Sequence, residues 1–451
     1  MKHRGQESEF GIGPAWRDGD ALTKLSLVIF GLGNLAKKQY FKGVMLLGIE
    51  VAVIAWFATI GVAKIQALPE LGGQGGQTRV KVDGFWTYVN SEPSVVVLLN
   101  GIAAICAALV FVWFATVALR SAFKAQVQVE NHGKARSFVQ DLKALTDTDA
   151  PILFMSLPTA GILIFTILPL IFMITMAFTS FDSKNPTNFQ WVGLENFGKV
   201  LGNDTGMVNL NMFLGVLAWT LVWAFFATFL NYFLGMFLAM LINRRTTRGK
   251  AFWRAIFSLS VAVPQFVSLL VLRSMLQPQG ALNRLLQDYG LTDHALPFFT
   301  DPTWARVTVI VINLWIGIPY TVMQVTGILQ NIPGELYEAA RLDGASWWQI
   351  YRSVTMPYML FVMTPYLIFM FTANVNNFNV IYMLSGGAPT PVGASAGQTD
   401  LLITWLYKLT VDRGDYNIGA VIGILTFIVL SSVALVTYRR SGSYRNEEGF
   451  Q

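Results

Sequence analysis

Two apolar stretches of this chain carry carboxamides at the spacing of one helix face. Asn313, Ile316, Gly317 and Tyr320 fall at i, i+3, i+4 and i+7, and Met370, Ala373, Asn374 and Asn377 repeat that spacing. A carboxamide offers two N–H donors and an acceptor oxygen, which suits vicinal hydroxyls, and a tyrosine ring stacks on an apolar ring face. Gly317 leaves room for a ligand to approach the backbone. Such chemistry recognises a neutral polyhydroxylated molecule rather than an ion. The alternative is glue between packed helices, a common use of Asn and Gly in membrane bundles. The residues alone leave the two open; Asn376 faces elsewhere and reads as structural.

Other chemistry finds no constellation. His3, His132 and His294 are scattered without a second ligand at metal spacing. The single Cys106 lies in an apolar run, which excludes a disulfide framework and a cysteine metal site and leaves a packing role. No G-x-x-x-x-G-K-[ST] phosphate loop occurs, and the glycine run at 72–76 lacks the Lys and reads as a flexible turn, so the chain does not hydrolyse ATP by itself. Glu50 is a lone acid in an apolar stretch, expected to be protonated or paired locally rather than to form an ion path, and Arg273 is expected to snorkel.

The elements that position these residues are membrane spans. The chain has 451 residues, 54% hydrophobic and 13% charged, against about a quarter charged in soluble domains. A bilayer core needs about 20 apolar residues per helix. By that measure eight spans run over 43–60, 95–119, 152–178, 212–242, 255–276, 307–329, 359–376 and 418–438. The fourth exceeds the bilayer and must tilt or project. The net charge of +6 reflects basic clusters beside spans, at Lys2, Arg4, Arg17, Lys24, Lys37, Lys38 and Lys42, at Arg244, Arg245, Arg248, Lys250 and Arg254, and at Arg439, Arg440 and Arg445. These clusters are not interleaved with aromatics as for nucleic acid, and they put both termini in the cytoplasm. Loops 71–76, 182–204, 277–301 and 386–415 are acid-balanced, turn-rich and extracytoplasmic. Segment 25–36 is too short to cross and holds breakers, so it is placed as interfacial or partly buried, and the first span is an uncleaved anchor. A helix over 121–148 joins spans two and three. Residues 1–150 thus form an N-terminal arm with two spans and this connecting helix, and 151–451 a six-span core, all helical.

Between spans six and seven, loop 330–357 is unusually patterned. Pro333 and Gly334 stop span six, and 334–340 reads as a short helix with Glu335 and Glu338 in its first turns. Gly344 breaks it, and Ser346 caps a second helix, 347–354, ended before Pro357. Glu338, Arg341 and Asp343 project polar groups from this knob, with Leu342, Trp347 and Trp348 as its apolar body.

Glu338-Ala339-Ala340, then Gly344, then Val354-Thr355-Met356-Pro357 resembles the signature loop of ABC importer permeases, with Val354 for Ile and Met356 for Leu. Asn313 to Tyr320, Asn374 to Phe378, Gly386-Gly387-Ala388-Pro389 and Gly397-Gln398-Thr399-Asp400-Leu401-Leu402 look like the MalF-type permeases of maltose and maltodextrin importers, over roughly the last two thirds of the chain. The resemblance implies a non-catalytic sugar-import subunit of a bacterial plasma membrane. Its partners would be a second, MalG-like permease, two ATP-binding subunits that use ATP and Mg, and an extracytoplasmic sugar-binding protein, with no cofactor in this chain. It places ATPase coupling at Glu338, Ala339, Ala340, Asp343, Gly344 and Pro357, and oligosaccharide contacts on the two carboxamide faces. Met370 stands where a Ser is expected and Ala373 where an aromatic is, which removes a stacking surface. Loop 180–211 is short where some members carry a large domain. Galacto-oligosaccharides are the alternative substrate class; an ion-driven sugar transporter and a non-transport scaffold or sensor subunit are the rival readings.

Overall fold

The computed structural model describes residues 10–72, 77–82, 85–90, 92–147, 150–202, 206–244 and 246–440. Gly73 to Gly76, Lys2, His3, Arg4, Arg245 and Arg445 lie outside them. Among the described residues, seven helices are long and apolar enough to cross a bilayer: Tyr40–Gln66, Ser94–His132, Leu153–Met176, Leu210–Asn243, Pro302–Gln330, Trp347–Leu384 and Tyr416–Val436. The remaining span, five, is two helices, Lys250–Ala262 and Gln265–Met275, that meet at Val263-Pro264. Pro264 has no N–H to continue the ladder, and Val263 before it takes an extended conformation (ψ 126°), so neither half reaches full length. Beside the helices, strands Gln77–Val82 and Phe85–Asn90 pair antiparallel from Gln77↔Asn90 to Val82↔Phe85, a hairpin the helical reading did not include.

By packing, the chain divides into two compact units, Met1–Gly193 and Leu194–Gln451. The division drawn at 150 differs from this by span three, whose Leu168, Ile171 and Phe172 pack against Leu98 and Ile102 of span two.

In the first unit, span two is the spine. It continues beyond the expected span to His132, where Gly133 at φ +72° ends it. The connecting helix expected over 121–148 is therefore a continuation of span two followed by a separate helix, Phe138–Thr146, whose Ser137 and Gln140 form a capping box. Segment 25–36 folds as two short helices, Ala21–Leu25 and Leu32–Ala36, around a turn that carries Phe30 into a cluster with Leu46 and Ala118. Glu50 closes this turn, its carboxylate accepting the Phe30 N–H at 2.7 Å. The lone acid of span one thus has a local backbone partner. Gly31, at φ +79°, lies so near Gly43 that a Cβ would stand 2.4 Å from its carbonyl oxygen. Cys106 packs beside Leu98 and Ile102.

In the second unit, span four is central. Its buried residues come in pairs every four positions: Trp219-Thr220, Trp223-Ala224, Ala227-Thr228, Asn231-Tyr232 and Gly235-Met236. A straight helix has 3.6 residues per turn, so such pairs would drift roughly 40° around the axis per step. The π turn Phe226–Leu230 absorbs one extra residue and takes back most of that drift. Spans six and seven pack on the same ridge, in one cluster of Trp219, Trp223, Val309, Val380 and Ile381 and another of Tyr232, Met236, Val322, Val325, Met359 and Met363.

Candidate functional site

Within span seven the helix Met356–Val375 breaks at Asn376-Asn377 before the short helix Phe378–Leu384, and Asn374 and Val375 at this break are buried. Asn374, 6% exposed, donates through Nδ2 to Thr228 Oγ1 at 3.0 Å, while its backbone carbonyl accepts Trp223 Nε1 at 3.1 Å. Asn377 Nδ2 donates to Asn374 Oδ1 at 3.3 Å, and Asn377 Oδ1 accepts from Val380 N at 3.2 Å, capping the helix Phe378–Leu384. Asn376 donates to the Thr372 carbonyl at 3.4 Å, a helix-end role on another face.

On span six, Asn313 is 6% exposed, Ile316 packs against the cluster that contains Trp219, Trp223 and Ile381, and Tyr320 is 47% exposed. Gly317 does not leave open space. A Cβ there would stand 2.5 Å from Asn231 Nδ2 and 2.6 Å from its Cγ and Oδ1, so the room is filled by the carboxamide of Asn231. One turn on, a Cβ at Gly235 would lie 2.5 Å from Thr321 Cβ. Small residues on alternating helices let the backbones of spans four and six approach closely.

The two faces seen in sequence are thus joined through span four: Thr228 bonds to Asn374 of span seven, and Asn231, three residues on, abuts Gly317 of span six. Met370 and Ala373 flank this seam half-buried and exposed respectively. Thr220, Trp223, Thr228 and Asn231 were not among the residues singled out from the sequence, although Thr220, Thr228 and Asn231 are polar residues inside the longest apolar run, a visible signal. A cavity of about 370 Å³ between spans four, seven and eight, lined by Phe229, Leu367, Phe371 and Leu430 among others, is apolar and shares no residue with the candidate set.

Loop 386–415 packs at the Thr220 end of span four. Asp400, fully buried, accepts from Gly397 N at 2.6 Å, Thr404 Oγ1 at 2.9 Å and Lys408 Nζ at 2.6 Å, and Lys408 also donates to the Gly386 carbonyl at 2.8 Å. A buried carboxylate is tolerated only when so fully satisfied. Leu402 N donates to Thr220 Oγ1 at 3.1 Å, and Arg306 donates to Gln398 while lying 4.9 Å from the Trp219 ring centroid, tying the loop to spans four and six.

The knob comes directly after span six. Helix Gly334–Leu342 ends in a Schellman motif: Ala345 N donates to the Ala340 carbonyl at 2.9 Å and Gly344 N to that of Arg341 at 3.0 Å, with Gly344 left-handed at φ +76°. Ser346 and Gln349 then form a capping box. Two expectations change. The second helix does not stop before Pro357. It runs on through a π turn, Tyr351–Thr355, into Met356–Val375, because the widened turn accommodates the proline ring and Pro357 sits in the first turn of that longer helix. Nor do Leu342, Trp347 and Trp348 form an apolar body: they are 89%, 56% and 59% exposed. The knob is held instead by buried Ile332, by Tyr337 bonded to Thr355 at 3.1 Å, and by Trp347 stacked on Tyr351. Glu338, Arg341 and Asp343 are exposed, as expected.

These elements form a bundle of membrane-spanning helices with a buried polar seam, a loop packed at one end and an exposed helical knob. A family model described as "binding-protein-dependent transport system inner membrane component" matches residues 231–442. The chain is 34% identical over 426 residues to the galactooligosaccharides transport system permease protein GanP of Bacillus subtilis (strain 168), covering 93% of this chain and 97% of that one. It is 32% identical over 434 residues to the maltodextrin transport system permease protein MalC of Streptococcus pneumoniae (serotype 4), covering 93% and 96%. With the maltose/maltodextrin transport system permease protein MalF of Escherichia coli (strain K12) the identity is 35% over 253 residues, 55% of this chain and 48% of that one. A bacterial alginate ABC transporter, solved in complex with its alginate pentasaccharide-bound periplasmic protein, shares the fold at TM-score 0.54 and 23% identity, over 66% of this chain and 96% of that one. The chain belongs to the inner membrane components of binding-protein-dependent transport systems.

Proposed function

We propose that the chain is the permease subunit of an ATP-driven oligosaccharide importer, with maltodextrins as first substrate class. One observation carries the coupling half of this reading. A continuous helical path runs from the exposed Trp347 and Trp348, through the π turn Tyr351–Thr355 and past Pro365, to Asn374 at the polar seam, so the knob and the seam share one element. An exposed apolar patch rimmed by Glu338, Arg341 and Asp343 is what a docking partner covers. Two ATP-binding subunits, which use ATP and Mg, dock there; the chain itself hydrolyses nothing and needs no cofactor. A second, related permease closes the cavity, and an external binding protein delivers sugar. The basic arms keep both termini cytoplasmic. Residues 1–150 are an addition to a core of 151–451.

The carbohydrate half is supported by the neutral carboxamide seam and by what the relatives transport. The GanP relative keeps galacto-oligosaccharides as the second substrate class. Glu50, with its carboxylate engaged by a backbone amide, favours a structural role over an ion path. ATP hydrolysis by the reconstituted complex across a glycan panel tests the proposal: stimulation by maltodextrins or galacto-oligosaccharides is expected, and proton-driven uptake that survives ATP depletion refutes it.

A further inference from the structure

Span four carries a polar group that the two sugar faces leave unused. Asn231 is 7% exposed; its Nδ2 donates to the Ala227 carbonyl at 2.7 Å, and its Oδ1 has no hydrogen-bond partner. A buried carbonyl oxygen without a donor is costly, and such groups in native proteins call for an explanation. The carboxamide lies directly against Gly317, whose missing side chain makes room for it: a Cβ there would stand 2.6 Å from the oxygen. Three residues earlier, Thr228 already holds Asn374, which holds Asn377. The π turn just before Asn231 keeps it on the ridge that faces both spans.

We infer that Asn231 is a further sugar-binding residue, its Oδ1 accepting a hydrogen bond from a hydroxyl of the bound oligosaccharide at the Gly317 notch. This rests on reading spans six and seven as the sugar faces, and it makes span four the third wall of the site. In the conformation described, span six screens the oxygen. A hydroxyl would reach the oxygen only once span six slides along span four, a shear of the kind packed helices allow. A neutral acceptor in a seam away from water discriminates strongly. A ligand that lacks the matching hydroxyl leaves the oxygen unpaired, whereas one that differs only in apolar bulk loses little. Asn231 therefore sets which hydroxyl the carrier demands.

The test is calorimetric binding of maltotriose and of β-1,4-galactotriose to the purified complex of this chain with its permease and ATPase partners, without binding protein. Asn231→Leu, near in volume but without an acceptor, is expected to weaken binding of the accepted glycan about three- to tenfold, the worth of one hydrogen bond, and to abolish discrimination against one monodeoxy analogue. Asn231→Ser, which keeps an oxygen, is expected to fall between. Unchanged affinity in Asn231→Leu, with weakened binding in Asn377→Ala and Tyr320→Ala, overturns the role of Asn231 alone. Unchanged affinity in all three removes the sugar faces with it, and an unmodified complex that binds neither glycan overturns both. A complex that assembles with neither Asn231 variant makes the residue a packing element and also overturns the inference.

Discussion

Thr228 and Asn374 share one buried hydrogen bond, and its loss is asymmetric: Thr228→Val keeps the shape but strands the Asn374 amide. Such a stranded donor costs about 1–3 kcal/mol. Thr228→Val is therefore expected to lower the melting temperature of the purified complex, read by scanning fluorimetry, and to reduce oligosaccharide uptake. Gly317→Ala drives a methyl to within 2.5 Å of Asn231, a contact that must relax by a shift of the Asn231 side chain or of one helix. Overpacking of this kind costs about 1–3 kcal/mol, and Asn231→Ser should recover most of it in the double variant, a coupling read by thermal denaturation. Additive effects of the two changes would mean the helices already give way there.

At the scale of elements, the knob and span seven act as one body. Glu338→Lys reverses the charge on its exposed rim without touching the buried anchors Ile332 and Tyr337. It should abolish sugar-stimulated ATP hydrolysis while the isolated permease still folds; full transport with the charge reversed would remove the coupling role. Gly344→Val forces a branched residue into a left-handed conformation, at roughly 1–2 kcal/mol, and should loosen the knob and weaken co-purification of the ATPase subunits. The boundaries of the knob's first helix were legible in Pro333 and Gly344. Its second helix was not, because Pro357 reads as a stop and only the π turn before it lets the helix continue.

At the scale of the whole molecule, the chain holds two compact units with separate clusters. Glu50→Leu removes the acceptor of the Phe30 amide in the first unit. That loss should cost about 1–3 kcal/mol of stability, seen as earlier thermal aggregation, with the half-saturating sugar concentration unchanged; a change in that concentration would mean the first unit takes part in binding.

The sequence by itself determined the membrane class, the eight spans, the knob and the two carboxamide faces. Each rests on local composition or on helical spacing, which a chain cannot hide. Asn313, Gly317, Asn374 and Asn377 were visible because polar residues stand out in apolar runs. Only the tertiary structure decided what they meet. That Gly317 faces Asn231 rather than open space, that Asn374 bonds to Thr228, and that Glu50 closes the turn at Phe30 all depend on contacts between helices far apart in sequence. The exposure of Trp347 and Trp348 belongs to the same class. Helical spacing tells which residues share a face, and only packing tells what that face lies against.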